Sequence, residues 1–178
     1  MPRASYKLPN HAHYLTFSCY RRQQLLTSDD LCSLLVKTWD EARRAGNVAI
    51  WSYVIMPEHV HLLIYPKNDP YEMSNVLRLL KEGFTRWAVA YWMDRAPHML
   101  ERISIQRGKR VLHRFWQEGG GYDRNLYDWD TIRRAIEYIE WNPVRRGLAS
   151  DPNAWVWSSA RARAGMSDVP LALDECPI

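Results

Sequence analysis

The sequence predicts an α+β fold: a ferredoxin-like antiparallel sheet with helices packed on one face, followed by a C-terminal helical or irregular extension. Three observations carry this. Short segments rich in strand formers stand at 13–20, 48–56 and 59–65. Apolar stripes at helical spacing stand between or after them. The second and third strand segments are separated only by Pro57-Glu58, which makes a hairpin and therefore an antiparallel pair.

The elements follow in order. Residues 13–20 (His-Tyr-Leu-Thr-Phe-Ser-Cys-Tyr) alternate and read as a strand. A helix starts at Thr27 or Ser28, with Asp29 and Asp30 in its first turn and Leu31, Leu34 and Leu35 on its apolar face. Arg43 and Arg44 suit its negative C-terminal end, and Gly46 stops it. Residues 48–56 and 59–65 are the hairpin strands. Asp69-Pro70 opens a long helix whose stripe runs through Met73, Val76, Leu77, Leu80, Phe84, Trp87, Ala88 and Tyr91; Pro97 ends the region. Residues 111–116 read as a fourth strand, and Gly119-Gly120-Gly121 as a flexible hinge. A last helix carries Ile132, Ala135, Ile136 and Ile139, capped by Asp128 or Asp130 and halted by Asn142-Pro143. The whole chain reads as one domain, residues 1–178, with a core of about 12–148 and an extension at 149–178.

Composition narrows the function classes. At 178 residues the chain is too short for a TIM barrel, which takes about 250 residues. No apolar run reaches the roughly 18 residues of a membrane helix. Met1 to Lys7 carries charge with no apolar stretch behind it, unlike a signal peptide. Cys19, Cys32 and Cys176 are scattered and form no CxxC, which fits a reducing cytoplasm and excludes an all-cysteine zinc site. Net charge is +4, and its distribution is uneven. Between 102 and 117 lie Arg102, Arg107, Lys109, Arg110 and Arg114 with no acid. Between 141 and 165 lie Arg145, Arg146, Arg161 and Arg163 against Asp151 alone. Tryptophan, phenylalanine and histidine are interleaved. Phosphates want cations and unstacked bases want flat rings, so these runs point to a nucleic-acid face.

The chemistry concentrates in Pro57-Glu58-His59-Val60-His61. Residues i and i+2 of a strand share a face, so two imidazoles converge while Val60 points into the core. That is a two-pronged metal clamp. His11 and His13 share the spacing and read as a strand-edge pair without metal. Position 63 is Leu63, which excludes a histidine triad, and the strand setting excludes a helical HExxH site. Two histidines supply no nucleophile. Tyr122, beside the glycine run, is the candidate, with Tyr127 as its rival.

These pieces together resemble the REP-associated tyrosine transposases, within the single-tyrosine HUH transposases. The matching blocks are Met56-Pro57-Glu58-His59-Val60-His61; Phe115-Trp116-Gln117 running into Tyr122-Asp123-Arg124; Tyr138 to Leu148 (Tyr-Ile-Glu-Trp-Asn-Pro-Val-Arg-Arg-Gly-Leu); and Trp155-Val156-Trp157-Ser158-Ser159-Ala160. The resemblance implies that His59 and His61 hold Mg²⁺ or Mn²⁺ against a scissile phosphate. It implies that Tyr122 attacks the phosphorus to give a 5′-phosphotyrosine link and a free 3′-hydroxyl. Free phenols are only about a thousandth ionised at neutral pH, so cations must assist. A polar residue one turn after the tyrosine is implied as third ligand: Asn125 if Tyr122 opens a helix, with Glu58 or water as substitutes. Arg107, Lys109, Arg110, Arg114, Arg124, Arg145 and Arg146 are the expected DNA contacts. The implied substrate is a single-stranded DNA hairpin of repetitive palindromes, cut and rejoined by a monomer or homodimer. A non-cleaving hairpin-binding protein and a water-using metal phosphodiesterase are the alternatives.

Overall fold

The computed structural model describes residues 11–177; the reading of residues 1–7 falls outside them. Its elements are β1 (Ala12–Ser18), α1 (Asp29–Ala45), β2 (Val48–Ile55), β3 (His59–Pro66), α2 (Met73–Arg95), α3 (His98–Ile103), β4 (Ser104–Arg107), β5 (Arg110–His113), β6 (Tyr122–Leu126), α4 (Trp129–Glu140), α5 (Asn142–Arg145) and α6 (Ala160–Arg163). The main sheet is antiparallel with strand order β2-β3-β1-β6; β4 and β5 form a separate two-stranded ribbon.

The α+β class and the antiparallel sheet are as expected, but the layering is not. α1 and α2 cover one face, where Leu15, Phe17, Val60, Leu62 and Ile64 meet Leu31, Leu35, Trp39, Val76, Leu80 and Phe84. α4 covers the other, where Ile132, Ile136 and Ile139 meet Ala49, Trp51, Val54 and Leu63. The reason lies in β2 and β3. Nearly every residue of both is buried, so neither strand has a solvent face to spare.

Four local readings are also corrected. The long helix begins at Met73 rather than at Asp69-Pro70. Residues 104–107, unread in the sequence, pair with 110–113, so the expected fourth strand joins a ribbon and not the main sheet. Tyr122 opens a strand, β6, which pairs with β1 in the register Thr16↔Tyr122, Tyr14↔Arg124 and Ala12↔Leu126. The glycine run is not a free hinge: at Gly121 (φ +84°) a Cβ would stand 2.3 Å from the Thr16 carbonyl oxygen, so the chain there is pressed against β1.

The C-terminal segment is woven into this frame. Trp155 Nε1 donates to Ile55 O (2.9 Å) and Trp157 Nε1 to Asp29 Oδ1 (3.0 Å). Both indoles are thus tied to the body of the domain. Buried Glu140, at the end of α4, accepts from Ser159 Oγ (2.7 Å) and Arg163 Nε (2.9 Å), and so locks the end of that helix.

Candidate functional site

The alternation of β3 places Val60 and Leu62 in the α1/α2 core and turns His59 and His61 to the α4 side. The two Nε2 atoms stand 3.1 Å apart. Each ring is held from behind. His59 Nδ1 lies 3.1 Å from Glu58 Oε1, and Arg146 donates to the same oxygen at 2.8 Å. His61 Nδ1 lies 2.7 Å from Thr16 Oγ1 and 2.8 Å from Tyr14 Oη, both on β1 directly alongside. With Nδ1 occupied, each Nε2 is the atom presented at the point of convergence.

Electrostatics keep these rings neutral. Burial pushes His61 down to about 3, with His59 adding to the effect. Burial also lowers the His59 pKa, and the Glu58 carboxylate only partly offsets it. For Glu58 itself burial works against ionisation, but the Arg146 hydrogen bond and charge, together with His59, outweigh it and hold the pKa below the usual value. A neutral imidazole pair beside an ionised carboxylate is the form a cation can bind.

A third group reaches the same point from α5. Asn142 Nδ2 lies 3.2 Å from His61 Nε2, and Asn142 Oδ1 is buried without a hydrogen-bond partner among the described residues. One helical turn earlier, the Tyr138 ring stands edge-on to His61 at 5.7 Å between centroids. The Arg145 guanidinium sits 5.0 Å from the Tyr138 ring centre. Tyr138 in α4 and Asn142 at the start of α5 are four residues apart, and both side chains reach His61. The sequence reading took Asn142-Pro143 as a helix stop and gave Tyr138 no role. The signal was present: a tyrosine and an asparagine at helical spacing, beside Ile132, Ile136 and Ile139 but not part of their stripe.

The expected residues are placed differently. Tyr122 is 44% exposed and lies on the His61 face of the sheet, but one strand further out, across β1. Its ring packs edge-on against Tyr14 at 6.0 Å. Asn125 was expected as third ligand if Tyr122 opened a helix, and Tyr122 opens the strand β6 instead. In that strand Asn125 faces away from Tyr122 and Arg124, and its Nδ2 donates to Tyr127 Oη at 3.2 Å. The Tyr127 ring packs at a tilt against His11, 5.2 Å between centroids. His11 and His13 join Tyr71 and Asp123 in a buried network: His13 Nδ1 to Asp123 Oδ1 (2.8 Å), His13 Nε2 to Tyr71 Oη (2.6 Å) and Tyr71 Oη to His11 Nε2 (2.9 Å).

The cationic residues divide. Arg107, Lys109 and Arg110 are exposed at the tip of the β4–β5 ribbon, and Arg114 pairs with Glu118 at 3.1 Å. Arg124 lines the cleft beside His61. Arg145 and Arg146 are committed at the site, to Tyr138 and Glu58. Arg161 and Arg163 are tied to Asp168 and Glu140.

A family model described as "Transposase IS200 like" matches residues 7–141. No curated protein matches the chain. Among solved structures, that of a REP-associated tyrosine transposase bound to a REP hairpin superposes with a TM-score of 0.72 at 21% identity, covering 100% of this chain and 94% of that one. A structure from Deinococcus radiodurans R1, assigned as a transposase, gives 0.48 at 19% identity, covering 79% and 94%. The first shares the fold. The family match spans most of the chain, including both histidines of the pair and Tyr138, and on it the chain belongs to the IS200-like transposase family.

Proposed function

We propose that the chain is a metal-dependent endonuclease and strand transferase acting on single-stranded DNA beside a hairpin, with Tyr138 as nucleophile. The observation that carries this is that Tyr138 and Asn142 both contact His61, one through a ring contact at 5.7 Å and the other through its amide at 3.2 Å. Tyr122, the sequence candidate, lies one strand further off and is pinned in β6.

The donors fit a divalent cation. Two nitrogens each about 2.1 Å from one ion and at right angles stand about 3 Å apart, and the Nε2 atoms are separated by 3.1 Å. Among the described residues no three His, Cys, Asp or Glu side chains form a metal group, so a third protein donor has to be of another kind. The buried, unpartnered Oδ1 of Asn142 is such a donor, because turning the amide over brings its oxygen to the convergence point. His59, His61 and Asn142 would thus hold Mg²⁺ or Mn²⁺, which when bound offsets charge on the phosphoryl oxygens.

The chain's own residues supply the rest. The Tyr138 oxygen forms a bond to phosphorus, the P–O3′ bond breaks, and the 3′ oxygen leaves as a hydroxyl, taking up a proton while the phenol loses one. Arg145, over the Tyr138 ring, offsets charge that builds on the phenol. Glu58 and Arg146 fix the His59 ring, and Thr16 and Tyr14 fix His61. The ester keeps the energy of the phosphodiester, so a second strand's 3′-hydroxyl can reverse the step.

The deciding assay is a denaturing gel of labelled hairpin DNA with an unpaired flank, in Mg²⁺ or Mn²⁺. A covalent adduct lost in Tyr138→Phe and formed by Tyr122→Phe supports this assignment. An adduct lost in Tyr122→Phe alone returns the role to Tyr122. Cleavage with no adduct means that water is the nucleophile, and binding without cleavage means a regulatory protein.

A further inference from the structure

A cleft of about 630 Å³ opens beside His61. Tyr14 and Thr16 of β1 form its floor, Tyr122 and Arg124 of β6 one wall, and Arg134 and Tyr138 of α4 the other. It exists because α4 packs over the β2 side of the sheet and leaves the β1–β6 edge of that face uncovered. The residues in it are of three kinds. Tyr122 is a large ring left exposed, in a T-shaped contact with Tyr14. Leu126 and Ala135 are apolar. Arg124 and Arg134 are exposed cations, and no lining residue is an acid.

Flat rings, hydrocarbon and two exposed cations in one concavity match a flat heterocycle joined to an anion. The cleft also has the size of a small-molecule site rather than of a duplex groove. From this we infer that the cleft takes one unpaired nucleotide of the DNA strand, its base stacked on Tyr122 and its phosphate held by Arg124 and Arg134. This rests on the proposed strand-cleaving function, and names what the site grips next to the reacting phosphate. Tyr122 thereby acquires a role that its position explains. From β6 it lines the cleft, where a base leaving the stack would lie, rather than the cation point.

The test uses the full chain and a fluorescent DNA hairpin with an unpaired flank, with metal chelated so that binding is read without cleavage. Tyr122→Ala weakens binding about tenfold, and Tyr122→Phe, which keeps the ring, recovers it. Abasic sites are then placed one at a time along the flank. One position costs the wild type a similar factor and costs Tyr122→Ala nothing further. Equal losses in Phe and Ala, or losses at every abasic position that simply add to Tyr122→Ala, overturn the proposal. Arg134→Ala, at an exposed position of α4, provides an independent readout: the slope of log affinity against log salt falls by about one. An unchanged slope speaks against the phosphate half of the site. Wild-type adduct formation is scored separately. Coupling between Tyr122 and one base without any adduct would retain this pocket and discard the nuclease reading. An adduct without coupling would do the reverse.

Discussion

Asn142 Nδ2 stands 3.2 Å from His61 Nε2, across 81 positions of sequence, and its own Oδ1 is buried with no partner among the described residues. An unsatisfied buried amide oxygen is costly, about 1–3 kcal/mol. A cation between the amide and the two imidazoles would remove that cost by drawing the oxygen inward.

The first prediction concerns that oxygen. Asn142→Ala should weaken Mn²⁺ binding at least about tenfold in calorimetric titration, while Asn142→Asp keeps it, since a carboxylate oxygen suits the same ions. Equal affinity in Asn142→Ala and wild type would remove Asn142 from the donor set.

Acid should destabilise the metal-free fold through His61. Its folded pKa of about 3 lies below the unfolded 6.5, so between those values the unfolded chain binds a proton that the folded chain refuses. The contribution is whole above pH 6.5 and is lost as pH falls, by at most about 1.4 kcal/mol per unit. Urea titrations at pH 7 and pH 5 should show a smaller drop for His61→Gln than for wild type. Identical drops would contradict the burial of this ring.

Gly121→Ala should cost about 2 kcal/mol or more, read as a lower urea midpoint. Its Cβ would meet the Thr16 carbonyl at 2.3 Å, at φ +84°, and a backbone atom has no rotamer by which to retreat. A neutral outcome would mean that β6 is free to shift, as a hinge would require.

The β4–β5 tip should act through charge alone. Replacing Arg107, Lys109 and Arg110 together by alanine should lower the salt slope of hairpin binding by up to about three. A slope unchanged from wild type would assign the DNA contact elsewhere, despite the exposure of this ribbon.

Glu140→Ala should destabilise by about 1 kcal/mol: it removes the acceptor of the Ser159 hydroxyl and of Arg163 Nε, while Ser159 keeps Ser52 and the exposed Arg163 keeps Trp51 O. It should also slow adduct formation, since Glu140 lies between Tyr138 and Asn142 and anchors their helix end. Normal adduct kinetics in a destabilised variant would separate the anchor from the site.

Much of this was written in local pattern. The alternation His59-Val60-His61 settled which side each ring takes, because a strand's period is two regardless of context. The stripe Ile132, Ile136, Ile139 and the Asp128 cap, which accepts from Thr131 N at 2.8 Å, marked α4. The strand that Tyr122 opens went unread because glycines before a polar run look like a mobile loop. β6 owes its existence to hydrogen bonds with β1, more than a hundred positions away, and no local propensity records them. Asn125 was read from the same local pattern, and its place in β6 turns it away from Tyr122. By itself the sequence determined the histidine pair, its strand and the helices, since these follow from spacing along one chain segment. Only the tertiary structure decided which tyrosine and which amide face that pair, because the crossing of α4 over the sheet is set by packing between distant apolar faces.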